Sequence, residues 1–247
     1  MQDFYQAKKK KLSKSKNILG VILARGNSKG IKRKNFLKLN GRTLIDIAID
    51  NALKSKRLKK IVFSSENEEL IKVAKKKIKV HFKRPKKLAL DNSSSYSVIK
   101  HAIKWLQKNE LWNTDIVVIL SPTTPFRTGK HIDDVIDLMI KKKSDAAMTI
   151  TDPDYPPYWM FKKKNNRYKF ILPKGKNIKR RQDAPKVYQP AGMVYAIKPN
   201  FLNNLKGILP QGKTAGLFVE REEALNIDNK TQFHIAKFLS KKYLKNY

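Results

Sequence analysis

Arg25, Lys29, Arg33 and Lys34, with Gly26 and Gly30 between them, are four of the five cations crowded into residues 23–35 (LARGNSKGIKRKN), directly after a short apolar run. Glycines let backbone N–H groups approach phosphate oxygens, and lysine and arginine offset the charge of a polyphosphate. The stretch therefore suits a nucleoside triphosphate. It matches neither the G-x-x-x-x-G-K-S/T spacing of P-loops nor the G-x-G-x-x-G of dinucleotide folds. Lysine is abundant throughout the chain, so charge alone leaves open a second reading, a loop that is basic only by composition.

The elements that must position this loop alternate along the chain. Residues 17–24 (NILGVILA) read as a buried strand feeding the loop, and 43–54 as a helix with its apolar residues on one face. Next come a strand at 60–64, a helix at 68–76, a third strand at 78–82 ending near Arg84-Pro85, and a helix at 94–107. Residues 115–120 (DIVVIL) form the clearest buried strand, and two prolines make 121–125 (SPTTP) a loop. A helix at 131–140 and a strand at 145–151 continue the pattern, which predicts an α/β fold with a right-handed, doubly wound, mostly parallel sheet. From 152 to 190 prolines cluster, and aromatic stretches at 158–161 and 168–171 flank KKKNNR, which reads as a hairpin-bearing insertion. Strands at 193–197 and 217–219 and a helix at 232–244 complete the order.

Length and composition set the frame. A chain of 247 residues is expected to hold one main domain over 17–247 with the insertion at 152–190, preceded by a disordered basic arm at 1–16. The absence of cysteine excludes disulfides, thiolate metal sites and cysteine nucleophiles. No apolar run is long enough to span a bilayer and the N-terminus lacks a secretory pattern, so a cytoplasmic protein with no membrane partner is expected. The net charge of +35 would ordinarily suggest a nucleic-acid partner. The lysines, however, are spread through every element and accompany no recognised nucleic-acid motif. Nonspecific phosphate affinity is expected, and specific nucleic-acid binding is not.

Several segments together carry a resemblance. ILARGNSKGIKRKN resembles the N-terminal signature of the acylneuraminate cytidylyltransferases, which make CMP-activated sialic and related nonulosonic acids. In the same order, KRPKKLALDNSSS, LSPTTPFRTGKHID and RRQDAPKVYQPAGMVYAI are similar to later segments of that family. The resemblance runs from about residue 17 to the C-terminal helix. The serine-lysine-glycine element of the first loop also separates the chain from the related KDO cytidylyltransferases.

Carried over by position, the resemblance implies that Arg25, Lys29 and Lys34 contact the triphosphate of CTP. It implies that Asn35, Arg84 and Ser95 help hold cytosine and ribose, with Asp91 supporting the pocket. Without it, Arg84 would read as surface loop and Ser95 as a helix cap. The insertion corresponds to a part that reaches across a homodimer, making Arg181 and Gln182 candidates for the carboxylate and hydroxyls of an acidic nine-carbon sugar. Mg2+ is the implied cofactor. The family's aspartate-isoleucine-aspartate pattern is here Asn226-Ile227-Asp228, so Asp228 is the retained metal ligand. Ser121 and Ala191 replace a glutamine and an asparagine near the expected sugar site.

The implied reaction is attack by the anomeric hydroxyl of a nonulosonic acid on the α-phosphorus of CTP, releasing pyrophosphate. Arg25, Lys34 and Asp228 are the expected catalytic residues, acting by positioning and charge stabilisation without a covalent intermediate. Asp228 is open to metal binding, to deprotonation through bound water, or to both. His81, His101, His131 and His234 share no motif and read as structural. Two alternatives stand beside this reading: the same fold acting on another sugar acid or nucleotide, and a catalytically weakened relative that binds polyanions.

Overall fold

Runs rich in β-branched residues and leucine, buried on both faces, build the centre of the protein. The computed structural model describes residues 16–28, 30–203, 205–206, 209–210 and 212–245. Strand β1 (Ile18–Leu23) is followed by the short pair β2 (Lys38–Leu39) and β3 (Arg42–Thr43), helix α1 (Leu44–Leu53) and β4 (Lys60–Ser64). Helices α2 (Glu68–Lys75) and α3 (Ser95–Glu110), strand β5 (Ile116–Leu120), helix α4 (Gly129–Lys141) and β6 (Ala146–Thr151) come next. Strands β7 (Phe161–Lys164) and β8 (Arg167–Phe170) form a hairpin, and β9 (Gln189–Ile197) returns to the sheet. The short strands β10 (Leu205–Lys206) and β11 (Leu209–Pro210), then β12 (Thr214–Phe218) and helix α5 (Lys230–Tyr243), end the order.

Six strands make one sheet in the order β12-β6-β9-β5-β1-β4, in which β9 alone runs antiparallel to its neighbours. The expected α/β, mostly parallel sheet is present. One apolar cluster packs α1, α2 and α4 against the sheet, and another packs α3 against it, so helices cover both faces. A third cluster joins Leu39, Leu44 and Phe126 to Ile227, Ala236 and Leu244. Local capping agrees with the tertiary arrangement: Thr43, Ser94, Thr128 and Asn229 each accept a backbone N–H at the start of α1, α3, α4 and α5.

Two expectations are corrected. Residues 78–82 form no strand: Ile78, Val80 and Phe82 pack on the core while the backbone joins no ladder. In the insertion, the first strand lies later and the second one residue earlier than the aromatic stretches suggested, because Asn165 and Asn166 take left-handed φ values of 49° and 57° and make the tight turn themselves. The lysines before them therefore pair in the ladder, Lys162 with Lys169 and Lys164 with Arg167. Pro157–Trp159 is a turn of 3-10 helix, and the Trp159 indole N–H donates to the Ile178 carbonyl at 2.9 Å, so Trp159 packs the insertion on itself. The expected arm at 1–16 lies outside the described residues except for Lys16.

The irregular segment is tied down by Glu110 at the end of α3. Its carboxylate accepts from Lys60 Nζ at 2.5 Å and Lys79 Nζ at 3.2 Å and lies 2.7 Å from His81 Nδ1. The Lys60 bond, then the His81 bond, holds its carboxyl at about 2, below its ordinary 4.5. A depressed acid contributes stability that is complete above its unfolded value and is lost as pH falls through its folded value. Glu110→Gln is therefore expected to be less stable than wild type near neutral pH, with the gap closing between about 4.5 and about 2. Urea unfolding of both proteins at stepped pH measures this, and a gap that does not change with pH would contradict it.

Candidate active site

Parallel strands end together at one edge of the sheet, where open α/β folds place their ligands. Here the loops after β1 and β5, the segment 84–95 leading into α3, the start of β9 and Asp228 surround a cavity of about 520 Å³. Arg25, Lys34, Asn35, Arg84, Asp91, Ser95, Ser121 and Asp228 all line it. Lys29 lies outside the described residues.

The loop after β1 is braced from several sides. Ala24 N–H donates to the Ser64 carbonyl at 3.1 Å, Gly26 N–H to Glu66 Oε1 at 2.6 Å, and Asn35 Nδ2 to the Arg25 carbonyl at 2.8 Å. Arg33, at φ 55°, turns the chain into the short helix that starts with Lys34. Two ion pairs border the cavity: Arg25 Nη1 to Asp91 Oδ1 at 2.9 Å, and Lys34 Nζ to Asp228 Oδ1 at 2.8 Å. A triphosphate entering here meets cations already directed at oxygen anions.

Arg84 is no surface residue. It is 4% exposed, and its Nε donates to Ser64 Oγ at 3.0 Å while Nη2 donates to the Ser64 carbonyl. Desolvation lowers its pKa, and Glu66 partly offsets that effect. Ser95 is the first residue of α3 and Ser94 is the cap, so Ser95 is free of the capping role its sequence allowed. Ser121 Oγ shares a 2.7 Å hydrogen bond with Thr123 Oγ1 and faces its own loop.

That loop is held from behind by a residue whose role the sequence did not disclose. Arg127 is 1% exposed, and its Nη1 donates to the Ser121 carbonyl, Thr124 Oγ1 and the Met193 carbonyl at 2.9–3.0 Å. Burial pushes the guanidinium down to about 10, and Nε and Nη2 find no hydrogen-bond acceptor among the described residues. Arg127 thus fixes the β5 loop to β9 beside Gly192 and Tyr195, two further lining residues that were not singled out. Glu66 was also missed. Its position just past the end of a parallel strand was the available signal.

The sugar-site candidates are not all brought together: Ser121 lines the first cavity, Arg181 and Gln182 do not. Ala191 and Asn226 line a neighbouring cavity of about 760 Å³, which shares Gly192 and Tyr195 with the first. Arg181 and Gln182 line a third cavity of about 500 Å³ within the insertion, with Asp152, Pro153 and Lys186. Arg181 Nη2 reaches the Pro153 carbonyl at 3.4 Å.

Asp228 and Asn226 are the groups the sequence offered for a metal, and Asp228 Oδ1 is engaged by Lys34. Asp228 Oδ2 accepts from Asn226 Nδ2 at 2.7 Å, and Asn226 Oδ1 is buried without a hydrogen-bond partner among the described residues. One carboxylate and one neutral amide oxygen are few ligands, and no cluster of three acidic, histidine or cysteine groups occurs among the described residues. Mg2+ asks little more of a protein, because it keeps waters and phosphate oxygens.

The site's class follows from the proteins this chain resembles. The sequence profile described as cytidylyltransferase matches residues 19–244, and the chain belongs to that family. It is similar to post-translational flagellin modification protein B of Campylobacter coli, with 31% identity over 91% of this chain and 95% of that protein. It is also 35% identical to a pseudaminic acid cytidylyltransferase of Campylobacter jejuni, over 72% of this chain and 76% of that one. A CMP-N,N'-diacetyllegionaminic acid synthase of the same species is 32% identical, over 90% of this chain and 94% of that one. Among solved structures, a CMP:2-keto-3-deoxy-manno-octonic acid synthetase complexed with CTP superposes with a TM-score of 0.67 at 14% identity, covering 92% of this chain and 99% of that chain, which speaks for the fold.

Proposed function

We propose that the protein couples CTP to a nonulosonic acid of the sialic type, giving a CMP-sugar and pyrophosphate. The observation that carries this reading is the single cavity at the strand ends in which Arg25, Lys34, Asn35, Arg84, Asp91, Ser95 and Asp228 converge. The family match and the names of the similar proteins support the choice of CTP and of a nonulosonic acid.

Arg25 and Lys34 hold the triphosphate and offset the charge that grows on the leaving pyrophosphate. The sugar's anomeric oxygen forms a bond to the α-phosphorus as the bond to the β-phosphate oxygen breaks, and the hydroxyl proton leaves for solvent. Asp228 and the Asn226 amide oxygen would hold Mg2+, which when bound neutralises phosphate oxygens. Asn35 and Arg84 brace the nucleotide pocket and present it with what remains of their donors. Ser121 stands at the sugar end, on the loop that Arg127 fixes.

The acidic sugar completes its site in a homodimer. Tyr155, Phe161, Tyr168, Ile171 and Tyr188 of the insertion are exposed apolar groups of the kind buried between subunits. Arg181 and Gln182, which do not line their own nucleotide cavity, then serve the partner's sugar. No helix among the described residues is long and apolar enough to cross a membrane. The proposed enzyme is cytoplasmic and has no specific nucleic-acid partner.

Light scattering is expected to give about twice the chain mass of 28.6 kDa. Arg181→Ala is expected to raise KM for the sugar acid by about tenfold or more, leaving KM for CTP within about twofold, because a lost bidentate carboxylate contact weakens only that substrate. A monomer, or a variant whose KM for CTP rises equally, would defeat the shared-site proposal.

A further inference from the structure

Glu66 does not line the nucleotide cavity, yet it holds the backbone that does. Its Oε1 accepts the Gly26 N–H at 2.6 Å in a charge-assisted bond. Oε2 is buried, has no hydrogen-bond partner among the described residues, and lies 3.9 Å from Arg84 Nη1. The side chain is 18% exposed, so its charge is anchored rather than wandering in solvent. Arg84 in turn holds both the hydroxyl and the carbonyl of Ser64, and that carbonyl receives the Ala24 N–H. Ala24 and Gly26 are thus both secured to the segment 64–66, and the residue between them is Arg25.

The lateral fit is close as well. A Cβ on Gly26 would meet Asn67 Nδ2 at 2.8 Å and Asn67 Cβ at 2.9 Å, and Asn67 is itself fixed as the cap of α2. The fit toward α2 is tight, and the peptide joining Arg25 to Gly26 is held at both ends, its N–H by Glu66 and its carbonyl by Asn35 Nδ2.

We infer that Glu66 is a positioning residue of the phosphate-binding loop: by holding the Gly26 amide it helps set the backbone from which Arg25 reaches the triphosphate. The inference rests on the reading of that loop as the triphosphate site. It assigns Glu66 no contact with the reacting atoms. The glutamate supplies an acceptor of defined reach, and its charge is matched by Arg84.

Two ligands separate this role from general support of the fold. CTP needs the loop, whereas cytidine carries the base and ribose without phosphates. Binding of each is measured by calorimetry or ligand-observed NMR for wild type, Glu66→Ala, Glu66→Asp and Glu66→Gln, with a thermal melt of each protein. Glu66→Ala and the shortened Glu66→Asp are expected to lose CTP affinity by about tenfold or more with cytidine binding unchanged. Glu66→Gln keeps an oxygen at the same reach and is expected to stay within about threefold of wild type for CTP.

Equal CTP affinity in wild type and Glu66→Ala would overturn the inference, as would a parallel loss of cytidine and CTP, or a Glu66→Gln variant as weak as alanine. If Glu66→Ala does not fold, the aspartate and glutamine variants decide by the same criteria. A wild-type protein that fails to bind CTP would instead remove the nucleotide reading itself, so the two failures are distinguishable.

Discussion

Lys34→Ala is expected to lower kcat/KM for CTP by about 10²- to 10³-fold, the range seen when one preorganised charge-stabilising donor is removed. Lys34 is 13% exposed, lines the cavity and places its ammonium 2.8 Å from Asp228, between the first loop and the segment before α5. A desolvated ammonium acts on developing phosphate charge far more strongly than one in water. The loss of the Asp228 pair itself costs little fold stability, because that carboxylate is 59% exposed and such pairs contribute about 0–1 kcal/mol. Steady-state pyrophosphate release and a thermal melt together check the expectation: activity collapses while the melting temperature hardly moves. Turnover within threefold of wild type would remove Lys34 from the triphosphate site.

Gly30→Ala should be the most damaging single-methyl change in the loop. A Cβ there would lie 2.0 Å from the Asp228 carbonyl oxygen, and a backbone oxygen cannot rotate away as a flexible side chain would. Either the loop or the segment 226–229 must retreat, separating Lys34 from Asp228. Displacements of this size at reacting groups cost about 10²-fold, and a loss in kcat/KM of that order is expected. Gly41→Ala is the matched control. Its φ of +76° makes alanine strained, costing about 1 kcal/mol, but nothing lies within 4 Å of the new methyl and the site is not involved. Lower stability with unchanged kcat/KM is expected for Gly41→Ala, and the reverse emphasis for Gly30→Ala.

These two residues show how far the sequence could be read. The order of strands and helices was legible because β5 is a nearly pure apolar run and because Thr43, Thr128 and Asn229 cap helices with strong periodicity. Residues 78–82 misled because the alternating apolar residues Ile78, Val80 and Phe82 satisfy the strand pattern, whereas ladder pairing depends on a neighbour that sequence does not reveal. Asn165-Asn166 carried the correct turn signal, overshadowed by the flanking lysines.

In the site, the family-like motifs brought eight candidates to one cavity. The partners that fix them stayed hidden. Lys34 and Asp228 are 194 positions apart, and Gly26 and Glu66 are 40 apart. Arg127 stands inside a quoted motif, but its inward direction depends on β9 running antiparallel beside β5. Arg181 and Gln182 face a cavity of their own, and the chemistry proposed for them needs a second subunit.

The most direct test of the proposed activity is pyrophosphate release measured with CTP and UTP, each in the presence of Mg2+ and a panel of nonulosonic acids. A pocket that pairs its polar groups with cytosine leaves them unmatched against uracil. CTP is therefore expected to support turnover with at least one nonulosonic acid, with kcat/KM above that for UTP by about tenfold or more. UTP outperforming CTP, or no pyrophosphate from CTP with any acid of the panel, would contradict the proposed reaction.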